Sequence, residues 1–62
     1  MKALKRLRES RALTQKQLAD QLKVHQSAVA LWEGGYCNPR STKLLEIAKI
    51  LDCTVSELLE DT

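Results

Sequence analysis

Phenylalanine is absent from this 62-residue chain, Trp and Tyr occur once each, and β-branched residues do not gather into runs. Strands are built mainly from such residues, so a sheet is excluded as the principal architecture. Proline occurs once and glycine twice, which leaves long uninterrupted stretches for helices. No apolar run approaches the roughly 18 residues of a membrane span. Charges recur from Lys2 to Arg11, where a signal peptide would turn apolar, so a cytoplasmic protein is the expectation. The length suits one domain, residues 1–62, and a domain so small buries only about 60% of the surface its unfolded chain exposes.

Reactive side chains are equally scarce. Cys37 and Cys53 stand sixteen residues apart with His25 as the one histidine, and no C-x-x-C pair is present. That set is too scattered for zinc. In a reducing compartment the two cysteines are expected as free thiols, one in a loop and one packed as a small apolar residue. His25 has neither a nucleophile nor an orienting carboxylate placed near it by the sequence, and no glycine-rich phosphate loop occurs. No catalytic residue, metal or cofactor is expected, and the chain does not read as an enzyme.

What is present is a lopsided charge. Residues 1–43 hold nine Lys/Arg against three acids, whereas residues 44–62 hold Lys49 against five, for a net charge of +2. One end of the molecule is therefore electropositive, as a nucleic-acid-binding surface would be, although a solvated basic face is the simpler meaning of such a run.

Apolar periodicity predicts five helices. The first covers about Lys2 to Ser10 through Leu4 and Leu7, with Lys2, Lys5, Arg6 and Glu9 outward. Thr14 with Gln17 forms a capping box that opens a helix over Gln15 to Leu22, burying Leu18, Ala19 and Leu22. A turn at Lys23-Val24-His25 follows, with Val24 inward and His25 as N-cap of a helix from Gln26 to Glu33 that stops at Gly34-Gly35. Tyr36 to Arg40 is a loop ended by Pro39 and Arg40. A fourth helix is expected from a Ser41 cap to about Leu51, its stripe of Leu44, Ile47, Ala48 and Leu51 widened by Leu45. Thr54 with Glu57 caps a short fifth helix that buries Leu58.

The third helix has a face with no packing duty. With Gln26 at zero and about 100° per residue, Val29 lies near 300° and Trp32 near 240°, while Ala30, Ser27 and Leu31 lie near 40°, 100° and 140°. Val29 and Trp32 are the core side. Gln26, Ser27, Ala30 and Leu31 face outward, and glutamine can offer adenine a donor and an acceptor while Ala30 and Leu31 can meet thymine methyls. Lys16 and Gln15 stand at the positive N-terminus of the second helix, where a phosphate is favoured. Arg40 and Lys43 could hold the backbone on the other side.

These segments resemble the phage repressor and Cro-type (XRE) helix-turn-helix proteins. LKRLRESRALTQKQLADQLKV is similar to the opening of that family, SAVALWEGG to the end of its recognition helix, and STKLLEIAKILDCTVSELL to its last two helices. The resemblance implies an all-α, compact five-helix lambda-repressor-like domain with the helix-turn-helix in helices 2 and 3. It implies sequence-specific binding of double-stranded DNA by a repressor-type regulator, with Gln15, Gln26, Ser27, Ala30 and Leu31 at the bases. Lys16, His25, Arg40 and Lys43 are then expected at the DNA backbone, and Arg8 and Glu33 as a structural ion pair. A homodimer on a palindromic operator is implied as well, with Ile50 and Val55 as interface candidates. The alternative is an antitoxin or accessory module of the same fold, in which Ala30 and Leu31 meet a protein. Three departures from the family pattern stand out: Lys23 and Asp52 occupy positions where glycine is usual, a left-handed Lys23 costing about 1–2 kcal/mol, and Ala30 and Leu31 replace longer polar side chains often used for base reading.

Overall fold

A computed structural model describes residues 1–60, and among them only helices form: α1 (Lys2–Ser10), α2 (Gln15–Leu22), α3 (Gln26–Gly34), α4 (Ser41–Leu51) and α5 (Val55–Leu58). Asp61 and Thr62, the end of the expected domain, lie outside the described residues. Helix α3 packs on α2 and α1, α2 also meets α4, and α5 closes against α4 and α1. The core between them is Leu4, Leu18, Leu22, Val29, Trp32, Ile47, Leu51 and Leu58, with Ala19 and Ala48 among them. Met1 joins this cluster, although the apolar periodicity of the first helix begins only at Leu4.

Capping follows the sequence in two places and departs from it in a third. Thr14 Oγ1 accepts from the Gln17 N–H at 3.0 Å while Gln17 Oε1 accepts from the Thr14 N–H at 2.8 Å. Thr54 and Glu57 repeat the arrangement at α5. At α4, however, Arg40 and not Ser41 is the N-cap: its backbone is extended and its carbonyl accepts from the Leu44 N–H at 2.9 Å. Ser41 is already helical, and no side chain caps α4.

Four helix ends close alike, by a backbone N–H reaching five residues back. Leu13 donates to Arg8, Val24 to Ala19, Tyr36 to Leu31 and Cys53 to Ala48, at 2.9–3.2 Å. Such a closure needs one residue at positive φ. Gly35 supplies it without strain at φ +81°, but Ala12, Lys23 and Asp52 take it at +57°, +59° and +53°. Lys23 and Asp52 were legible as replacements for glycine. Ala12 was not, because Arg11-Ala12-Leu13 holds no glycine or asparagine to mark a left-handed joint.

Three apolar placements differ from expectation. Leu45 is 56% exposed, since it lies about 100° round from Leu44 and beyond the reach of the core. Ile50 and Val55, expected at a dimer contact, are half-buried and pack against the chain's own core.

Candidate nucleic-acid interface

The turn between α2 and α3 is held by its backbone and by one inward side chain. The left-handed Lys23 and the Val24 N–H on the Ala19 carbonyl swing the chain through the turn, and Val24 packs against the core. Val29 and Trp32 then seat α3, with Ala28 half-buried beside them. Gln26, Ser27, Ala30 and Leu31 are exposed together on the opposite side, Leu31 at 45%. No Lys or Arg lies within α3.

The far end of α3 is held by charge. The Met1 ammonium donates to the carbonyl of Trp32 at 3.0 Å and reaches that of Glu33 at 3.5 Å, a cation at the negative end of the helix dipole. Arg8 Nε donates to Glu33 Oε2 at 2.6 Å and Nη2 to Oε1 at 3.2 Å, while Nη1 donates to the Leu13 carbonyl at 2.6 Å. Both side chains are enclosed, 9% and 5% exposed. Hydrogen bonding to Glu33 raises the Arg8 pKa against the opposing effect of burial. The pair ties α1 to the last turn of the exposed helix.

From Glu33 a hydrogen-bonded chain runs to the surface. Gln15 Nε2 donates to Glu33 Oε1 at 3.0 Å, and Gln26 Nε2 donates to Gln15 Oε1 at 3.3 Å. The two glutamines marked by the sequence are thus brought together, and the ion pair is joined to them. Sequence spacing alone could not show this link, because it spans three helices.

The remaining expected contacts divide. Lys16, His25 and Arg40 are exposed, and Lys16 and His25 line one shallow groove with Asp20, Lys23, Val24 and Gln26. Lys23 therefore adds a cation to this surface that the sequence had marked only as a turn residue. The Lys16–Asp20 pair at 3.8 Å is open to solvent and holds Lys16 weakly. Lys43 differs: its ammonium donates to the Leu22 carbonyl at 2.9 Å and pairs with Glu46 at 3.0 Å, so it first ties the end of α2 to α4. A phosphate would have to compete with both partners. Tyr36, 82% exposed, lies just beyond α3, and a Cβ on Gly34 would come within 2.9 Å of its ring. Among the described residues, no three His, Cys, Asp or Glu side chains gather as a metal site would require. No helix there is long and apolar enough to cross a membrane. Cys37 and Cys53 are free thiols, the first exposed and the second half-buried.

Comparison with known proteins agrees with the all-helical fold. A helix-turn-helix family profile matches residues 4–58. The chain is 43% identical over 56 residues to the HTH-type transcriptional activator BcrR of Enterococcus faecalis, which covers 90% of this chain and 28% of that protein. The chain thus spans little more than a quarter of that relative. No solved structure matches it.

Proposed function

The chain belongs to the XRE-type helix-turn-helix family, and from that premise we propose that it regulates transcription by binding double-stranded DNA sequence-specifically, with α3 in the major groove. The observation that carries this reading is the bare face of α3. Gln26, Ser27, Ala30 and Leu31 stand outward while Val29 and Trp32 fix the helix from behind. Gln26 and Gln15 are the polar readers, Ser27 reaches a base edge or a phosphate, and Ala30 and Leu31 meet thymine methyls. Lys16, Lys23 and Arg40 neutralise phosphates and His25 offers one a ring N–H, with Lys43 as a weaker contributor because of its internal partners.

One recognition helix reads few base pairs, so a homodimer on a palindromic operator is part of the proposal, its helices about 34 Å apart along one side of the duplex. Ile50 and Val55 give part of their surface to the core, and the more exposed Leu45 joins them as a candidate for a contact between copies. Residues 1–62 act as one domain, in the cytoplasm. Occupying an operator excludes other proteins from that stretch of DNA, and repression is the outcome proposed. Similarity to a named transcriptional activator makes activation the second outcome to score.

Anisotropy of labelled promoter-proximal duplex, titrated at two salt concentrations, tests the reading. Saturable binding with a steep salt slope supports it. Gln26→Ala should reduce discrimination between sites, and Lys16→Ala should weaken all duplexes alike. Absence of saturable binding to any duplex would refute it and favour the protein-interaction module.

A further inference from the structure

Glu33 does more than neutralise Arg8. Its Oε2 accepts from Arg8 Nε, and its Oε1 accepts from both Arg8 Nη2 and Gln15 Nε2. A carboxylate in an ion pair offers only lone pairs, so Gln15 must turn its NH₂ end inward. The carbonyl oxygen of Gln15 is left to face Gln26, which meets it with Nε2 at 3.3 Å. One of the two N–H bonds of Gln26 is thereby committed. Its outer end keeps one N–H and one carbonyl oxygen. A glutamine amide on an open surface can present either end, because oxygen and nitrogen are nearly the same size and shape. Here the carboxylate at the root of the chain removes that choice from both amides.

Resting on the DNA-reading role of α3, we infer that Glu33 is a specificity-positioning residue: through Gln15 it orients the Gln26 amide so that adenine is accepted and guanine refused. Adenine presents the N7 acceptor and an N6 donor, which match one free N–H and one free carbonyl oxygen. Guanine presents two acceptors, N7 and O6, and would set its O6 against the Gln26 oxygen. Glu33 touches no base in this arrangement. It determines which base its neighbour's neighbour can hold.

Glu33→Gln reverses the chain. The short bond from Arg8 Nε keeps an oxygen at the Oε2 position, so the new amide nitrogen takes the Oε1 position, gives up the longer bond from Arg8 Nη2 and donates toward Gln15. Gln15 turns over to accept, offers its own NH₂ to Gln26, and leaves both N–H bonds of Gln26 free for guanine. Gln15→Leu breaks the chain in the middle without touching the Arg8–Glu33 pair.

The test is selection from a randomised duplex pool of about 20 base pairs, two successive half-sites long, with the wild type, Gln26→Ala, Gln15→Leu and Glu33→Gln. The position whose preference Gln26→Ala abolishes is the one Gln26 reads, and adenine-to-guanine affinity ratios are measured there by competition. The wild type is expected to prefer adenine by about tenfold or more, the discrimination of one good bidentate contact. Glu33→Gln should lower that ratio by about tenfold or invert it, and Gln15→Leu should lower it with thermal stability retained. A purely structural Glu33 would weaken binding to all duplexes and leave the ratio alone, and an unchanged ratio in a folded Glu33→Gln overturns the inference. If circular dichroism shows Glu33→Gln unfolded, the adenine-to-guanine ratio of the Arg8→Met, Glu33→Met double variant decides in its place. A wild type that enriches sequences but shows no adenine preference at that position also overturns it, with the DNA-reading role intact. A wild type that enriches no sequence removes that role, and the inference with it.

Discussion

Ala12→Gly should stabilise this protein, and Ala30→Gly should destabilise it, although the two substitutions are chemically the same. Both alanines are exposed, so neither loses buried area when its methyl is removed. They differ in backbone: Ala12 sits at φ +57°, and Ala30 lies in the middle of α3. A left-handed non-glycine residue carries about 1–2 kcal/mol of steric strain. Glycine relieves that strain but gives the unfolded chain extra freedom worth about 0.5–1 kcal/mol. The balance at position 12 is a gain of about 0.5–1 kcal/mol. In a domain of this size each kcal/mol moves the midpoint by about 4–8 °C, so Tm should rise by about 2–8 °C. At position 30 there is no strain to relieve, and the full entropic loss of about 0.5–1 kcal/mol appears as a fall in Tm. Thermal unfolding followed by circular dichroism at 222 nm, checked by urea titration, measures both. A fall in Tm for Ala12→Gly, with Ala30→Gly behaving as expected, would refute the reasoning: it would mean that the left-handed joint between α1 and α2 carries no strain worth relieving.

Arg8→Met leaves the Glu33 carboxylate enclosed without its partner, a loss of about 3–5 kcal/mol in urea titration, whereas Arg8→Met with Glu33→Met should recover most of it. Equal losses in the single and double variants would show that packing, not the unpaired charge, is what matters. Cys37 should react with a disulfide reagent at pH 8 well before Cys53, whose thiol is pushed above its ordinary 9.0 chiefly by burial and then by Glu57. A raised thiol pKa in the folded state means the neutral form is fully tolerated below 9.0. Stability is lost as pH rises from there through the folded value, so Cys53→Ala should flatten the alkaline end of the stability profile. Equal reaction rates for the two thiols, or an unchanged alkaline slope, would count against this.

The helices were legible because three independent signals coincide in them. Apolar spacing, the Thr14–Gln17 and Thr54–Glu57 boxes, and Gly35 all mark the same ends. What escaped depends on tertiary placement. Leu45 reads as part of a stripe until its angle is set against the actual core, and Ile50 and Val55 read as surface until α5 folds back toward α4. The second duty of Lys43, tying the end of α2 to α4, was hidden because nothing in the sequence shows the Leu22 carbonyl within its reach. Gln15 and Gln26 were legible singly as readers, yet the bond between them and the carboxylate behind them exist only once α1, α2 and α3 have met.

That last contact bears on why a buried ion pair stands here at all. Two well-packed apolar side chains at positions 8 and 33 could join α1 to α3 about as firmly, since desolvation offsets much of the attraction between the charges. They could not orient Gln15, because an apolar wall distinguishes neither end of an amide. The double Met variant therefore separates the two duties of the pair. It should regain most of the stability lost by Arg8→Met and still fail to restore the choice of adenine over guanine beneath Gln26. Recovery of both together would assign the base preference to the position of α3 and not to the polarity of the chain that ends at Glu33.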